Sequence, residues 1–189
     1  MANQAEAANL TKVTTGICRL SYLKVAKAEK SKEFPNQDPR YSVCVLIDKN
    51  DSETLKRIKG AISVAADNFF AGKVPSKMKN ALRDGDEDHP DDAAYKGMMF
   101  VNAWTGEDSP PLLKEGNDRQ EVTNPREWVS GDYGNVILNF KGYDNSGSKG
   151  VGAYLGGIWF RKKGKPLVSS VSESDFDKAF GDVDDDFLG

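Results

Sequence analysis

Histidine and cysteine are nearly missing from this 189-residue chain: His89 is its one imidazole, and Cys18 and Cys44 are its two thiols. Two cysteines without CxxC or CxxH spacing give no basis for a zinc site or a disulfide scaffold, so both are expected to be reduced and buried. His89 stands beside Pro90 in an acidic stretch with no GxSxG-type nucleophile nearby, which leaves catalysis by a His-activated residue without support. A Walker loop and a GxGxxG motif after a strand are missing too, and with them the sequence basis for phosphoryl transfer or dinucleotide binding. No apolar run reaches about 18 residues, and the N-terminal MANQAEAANL lacks the basic and apolar regions of a signal peptide. The expectation is a cytoplasmic protein with no membrane partner. No internal repeat is visible.

What the chain does have is an uneven distribution of charge. The overall balance is −3, yet residues 171–189 hold seven acids against Lys178 and carry −6, leaving +3 on the rest. Asp182, Asp184, Asp185 and Asp186 crowd together, with Phe187 and Leu188 following. So much charge with so little apolar material cannot build a packed core, so 171–189 reads as a disordered acidic tail with an apolar tip. Residues 1–10 read as a disordered leader, and 11–170 as one domain.

Within 11–170 the apolar pattern is mostly that of strands. Thr15 to Val25 alternates as a long, bent strand. Tyr41 to Ile47 alternates again, across a polar loop of about a dozen residues that contains Pro35 and Pro39. A helix follows, with Asp51 as N-cap, the stripe Leu55, Ile58, Ile62, Ala65, Ala66 and Phe69, and Gly72 as its stop. A second short helix is expected over Pro75 to Leu82, an acidic loop over Arg83 to Asp92 and a short strand over Phe100 to Trp104. Glu107 to Pro125 reads as irregular. Tyr133 to Phe140 and Ala153 to Phe160 read as strands flanking a long glycine-rich loop, with Gly156 and Gly157 marking a bulge or a close backbone approach. Strand, strand, helix, three strands: the fold class is mainly β with one or two helices, an OB-fold-like Greek-key barrel with long loops.

Bases and rings alternate in two parts of the chain. Arg19, Tyr22 and Lys24 lie on the first strand, Phe34 in the loop after it, and Arg40 at the start of the second. Lys141, Tyr143, Lys149, Tyr154, Trp159, Arg161, Lys162 and Lys163 lie at the far end. Cations spaced along a groove, with flat rings between them, are what sequence-independent binding of a single strand requires: rings stack on bases and cations neutralise phosphates. Phe69, Phe100 and Phe140 are assigned to the core, and Tyr22, Phe34 and Tyr143 to the surface. Tyr154 and Trp159 have opposite parity, so only one of them can face inward. The acids Asp84, Asp86, Glu87, Asp88, Asp91 and Asp92 depart from the EF-hand spacing and read as a solvated turn, so no metal and no cofactor is expected. Two other functions remain open: a regulatory protein-interaction module whose acidic tail mimics DNA, and a nuclease using Asp84, Asp86 and Asp88.

From about Ile17 to Phe187 the chain resembles a bacteriophage family of OB-fold single-stranded-DNA-binding proteins. The resemblance rests on YSVCVLIDKND (41–51), LRDGDED (82–88), YKGMMFVNA (95–103), VSGDYGNVILNFKGYDN (129–145) and GVGAYLGGIWF (150–160), in that order and spacing. DVDDDF (182–187) resembles the acidic, aromatic-ended tails of such proteins, although Leu188 and Gly189 follow the aromatic residue here. The resemblance implies a non-catalytic protein that coats and protects single-stranded DNA in phage replication, recombination or repair, in the cytoplasm of the host cell. Its tail would compete with DNA for the groove and recruit replication or recombination proteins. A homo-oligomer along the DNA is left open.

Overall fold

The computed structural model describes residues 10–30 and 36–167. The tail expected over 171–189, Phe34 and, apart from the exposed Leu10, the leader lie outside the described residues. The elements are β1 (Lys12–Thr14), β2 (Cys18–Glu29), β3 (Arg40–Asp48), α1 (Ser52–Phe70), β4 (Leu82–Asp84), α2 (Gly85–Asp88), β5 (Met98–Gly106), β6 (Leu112–Glu115), β7 (Gln120–Glu121), β8 (Tyr133–Asn145) and β9 (Ser148–Lys162). A single 3₁₀ turn covers Pro125–Glu127. Among these residues no helix is long and apolar enough to cross a membrane.

Five strands close on themselves in the order β2-β3-β5-β9-β8, with β8 returning to β2 through Cys18↔Gly134 and Arg19↔Tyr133. All of these pairings are antiparallel except β5 with β9, which run parallel through Ala103↔Ala153 and Trp104↔Tyr154. A closed, five-stranded Greek-key barrel of this kind is the OB-fold. Alternation supplies its core: Val43, Val45 and Ile47 of β3, Val101 and Ala103 of β5, Val136, Leu138 and Phe140 of β8, and Val151, Ala153 and Leu155 of β9 face inward. Burying each Val, Leu, Ile or Phe side chain among these contributes about 1.5–3 kcal/mol.

On β2 the core-facing parity changes, from Cys18 and Leu20 to Val25. The change occurs at a bulge between Ser21 and Lys24, where Tyr22 takes φ 46. One extra residue there bends the strand, as its mixed alternation implied. The Asp51 carboxylate caps α1 by accepting from the Thr54 N–H, and Ala71 closes it in the left-handed conformation. Leu55, Ile58, Ala61, Ile62, Ala65 and Ala66 carry the helix into the barrel core. Phe69, expected in the core, is 49% exposed. It packs instead against Gly142 of β8, and its neighbour Phe70 is the ring packed on the core.

Three local expectations are overturned. Pro75 to Leu82 forms no helix; it turns at Ser76 and Lys77 and is bonded to the β8–β9 hairpin through Lys79. Glu107 to Pro125 is not wholly irregular, because β6 and β7 pair there. The long loop expected over 141–152 is a tight hairpin, in which Ser146 and Gly147 take φ 49 and 89 between Asn145 and Ser148. Two consecutive positive φ values make a primed turn, whose twist matches the arms it joins.

A Cβ on Gly142 would lie 2.3 Å from the Cβ of Phe69, backbone-proximal atoms that cannot swing aside. Gly142→Ala is therefore expected to push α1 off β8 and cost about 1–3 kcal/mol, read as a lower thermal midpoint; an unchanged midpoint would mean that the helix is not seated there.

Candidate nucleic-acid interface

While Val136, Leu138 and Phe140 of β8 point into the core, Tyr133, Asn135, Ile137, Asn139, Lys141 and Tyr143 have the opposite parity. They form an outward row running the length of the strand. Beside that row, β9 has to present both Tyr154 and Trp159, whose parities differ. It does so by a bulge: Leu138 pairs with Leu155 and Ile137 with Gly157, leaving Gly156 as the extra residue. Leu155 and Ile158 thus both stay in the core, and Tyr154 and Trp159 both face out, half-buried. Neither ring faces inward.

Trp104, Tyr154 and Trp159 each carry a cation. The Arg40 guanidinium lies 3.9 Å from the centre of the Trp104 ring, and Trp104 meets Tyr154 at 4.8 Å. The Lys141 ammonium lies 4.9 Å from the Tyr154 ring. Five residues along β9, Trp159 holds Arg161 at 3.9 Å and Arg119 at 4.6 Å, and its indole N–H donates to the Gly116 carbonyl at 2.8 Å. Arg161 also donates to the Asn135 side-chain oxygen at 3.1 Å. A shallow depression of about 530 Å³ runs beside Lys12, Lys141, Tyr154 and Gly156, and another of about 460 Å³ beside Leu112, Lys114, Arg119, Trp159 and Arg161. Ile137 lines both, so the two are neighbours on this face. Tyr154 and Trp159 pair with Asn139 and Asn135, four residues apart on β8, which sets the two ring clusters about 13 Å apart.

The glycines next to this groove are there for space. A Cβ on Gly157 would lie 2.6 Å from the Leu112 carbonyl oxygen, so β6 can dock parallel to β9 only because residue 157 has none. Tyr143 lies over Gly150 and Gly152 at the hairpin end, where a Cβ on Gly150 would strike its ring.

Six of the residues picked out from the sequence come together on this face: Arg40, Lys141, Tyr143, Tyr154, Trp159 and Arg161. Tyr22 is 65% exposed at the β2 bulge, Lys24 pairs with Glu29 at 3.4 Å, and Lys149 pairs with Asp144 at 3.3 Å. Arg19 and Lys162 flank Tyr133 at the far end of the row, at 5.9 and 4.7 Å. Arg19 also donates to the carbonyls of Gly131 and Lys165, and so holds the segment that follows β9. Lys163 is taken up by structure: it pairs with the buried Asp132, donates to the Glu127 carbonyl and covers Trp128. The reading of the sequence missed Trp104, Tyr133, Lys12, Lys114 and Arg119. The first two were within reach, because Trp104 alternates with the buried Val101 and Ala103, and Tyr133 with Val136.

Residues 11–188 match the family model described as "Enterobacter phage Enc34, ssDNA-binding protein". The chain belongs to that family. Protein p50 of Acyrthosiphon pisum secondary endosymbiont phage 1 is 31% identical over 149 residues, covering 72% of this chain and 78% of that one. The single-stranded DNA-binding protein of bacteriophage Enc34, solved in complex with ssDNA, superposes with a TM-score of 0.73 at 24% identity over 84% of this chain and 90% of that one. The single-stranded DNA binding protein gp2.5 of bacteriophage T7 follows at 0.55 and 15%, over 86% and 97%. These two structures share the fold.

The acidic segment is built differently from the groove. Lys49 reaches Asp84 at 2.6 Å and Asp86 at 2.7 Å, Arg83 reaches Asp88 at 2.6 Å, and the Gly97 N–H donates to Asp86. Among the described residues no three His, Cys, Asp or Glu side chains gather as a metal site. The thiols are buried and free, and burial pushes Cys18 up to about 12 and Cys44 to about 11, so neither is a thiolate near neutrality. The Lys49 hydrogen bonds hold Asp84 and Asp86 below the usual carboxylate range, and Asp84 and then Asp86 raise Lys49. Stabilisation from lowered carboxylates is present above their ordinary pKa of about 4 and is lost as pH falls through the lowered values; that from a raised lysine is present below about 10 and is lost above it. Lys49→Met should lower the thermal midpoint at neutral pH, and the gap to the unsubstituted chain should close in acid. A gap that widens on acidification would contradict this.

Proposed function

We propose that the outer face of β8 and β9, with Trp104 and Arg40 beside it, binds single-stranded DNA without catalysing a reaction on it. The observation that carries this is the pairing of Trp104, Tyr154 and Trp159 with cations on one face of the barrel, in a member of a single-strand-binding family. A naked strand offers base faces and phosphates in alternation. Trp104, Tyr154, Trp159 and Tyr143 supply surfaces for stacking, while Arg40, Lys141, Arg161 and Arg119 neutralise the phosphates. Because each cation already rests on a ring, a base arriving at that ring brings its phosphate to a charge held in place. The indole N–H of Trp159 and the amide of Asn135 are already bonded within the protein, so bases are held by their faces rather than read by their edges.

The wider role in this reading is protection of single strands during phage replication, recombination or repair in the host cytoplasm, with protomers arrayed along the DNA. The segment 171–189, at −6, competes with DNA for the groove. Asp182, Asp184, Asp185, Asp186 and Phe187 then become available to replication or recombination proteins once DNA displaces them.

Trp104→Ala and Trp159→Ala should each weaken oligonucleotide binding by about 1–3 kcal/mol, roughly 5- to 150-fold, with the thermal midpoint within a few degrees. Affinity that falls only in step with a collapsing melt would mark the ring as structural. The same titrations run with Mg²⁺ should leave the labelled strand intact, and cleavage would refute the non-catalytic reading. Truncation after Val171 should tighten binding at low salt; weaker or unchanged binding would rule out competition by the tail.

A further inference from the structure

Beyond the rings, the groove runs toward the β8–β9 hairpin, and there the chain places a second kind of surface. After α1 ends at Ala71 and Gly72, the segment KVPSKMKN (73–80) turns at Ser76 and Lys77 and meets the hairpin at Lys79. It is held by two backbone hydrogen bonds, from the Lys79 N–H to the Lys149 carbonyl at 2.9 Å and from the Val151 N–H to the Lys79 carbonyl at 3.0 Å. The approach is so close that a Cβ on Gly150 would lie 2.7 Å from the Lys79 oxygen. Met78 packs on the core and anchors the segment from beneath.

Three lysines, Lys73, Lys77 and Lys79, are exposed along these few residues, and none is in an ion pair among the described residues. On the hairpin beside the segment, Asp144 is already paired with Lys149. The segment itself carries no aromatic side chain. Cations held in place by backbone bonding, without rings between them, suit phosphates and offer nothing to bases. Lys79 adjoins Gly150, the residue paired with Tyr143, so this surface begins where the row of rings stops.

We propose that Lys73, Lys77 and Lys79 form a phosphate-only extension of the binding site, taking the backbone of the strand as it leaves the groove past Tyr143. This rests on the reading of the groove as the single-strand site. From Asn135 to Tyr143 the ring-bearing part spans eight residues of β8, or about 26 Å, enough for a short oligonucleotide. A longer strand would run on over the lysines.

The test uses the full chain with Lys73, Lys77 and Lys79 all changed to Gln, titrated with oligothymidylates of about six and about twenty nucleotides, one near the short end of what an OB-fold covers and one beyond it. The short strand should bind as it does to the unsubstituted chain. The long strand should bind on the order of tenfold more weakly at about 0.1 M salt, with a log–log salt slope shallower by about 2, from roughly 0.7 for each lost phosphate contact. The triple Lys→Arg variant, which keeps the charge, should restore both. Unchanged binding of the long strand, or an equal loss for both lengths, would overturn the extension. If neither strand binds the unsubstituted chain, the groove reading itself fails and the extension falls with it.

Discussion

A strand shows every second side chain to one face, and β9 has to show two rings of opposite parity while keeping its core residues inside. The extra residue at Gly156 resolves that conflict. It lets Leu155 and Ile158 both fill the barrel and turns Tyr154 and Trp159 both outward. Gly157 beside it admits β6, which brings Leu112, Lys114 and, through the turn to β7, Arg119 to the Trp159 end of the groove. The outward placing of both β9 rings therefore depends on that insertion.

The cations divide by what holds them. Arg19 and Lys163 are engaged with backbone carbonyls and the buried Asp132, and they secure the chain as it leaves β9. Lys49 and Arg83 are engaged with Asp84, Asp86 and Asp88, and brace the segment that packs Tyr95 over Cys44 and Phe100 on the outside of the barrel. Arg40, Lys141 and Arg161 instead lie on ring faces, where they keep their charge and remain available to an anion. Positive charge in the sequence was thus a mixture of braces and of cations on the proposed binding face, and only the partners separate the two.

Much of the fold was legible because barrel strands alternate: YSVCVLI, the capped helix after Asp51, and the order of strand, strand, helix and three strands all appear in the structure. What was not legible arose where a strand leaves the core. Residues 141–152 are polar and glycine-rich, so they looked like a loop although they pair to the last residue before the turn. Phe69 matched the helix period but sits in its last turn, where Phe70 is the ring packed on the core. The site was half visible. Tyr143, Tyr154, Trp159 and Arg161 could be read from local composition, whereas Trp104 joins them only through the parallel pairing of β5 with β9, a contact 50 residues apart in the chain.

The account stands on where a base sits. Photocrosslinking of a halogenated-thymine oligonucleotide to the full chain, with the adducts mapped by mass spectrometry, reads this directly. Adducts at Trp104, Tyr154 or Trp159 are predicted, and they should disappear at high salt along with binding. Adducts confined to Tyr22, Tyr41 or the flank of α1, with the three outward rings unmodified, would contradict it.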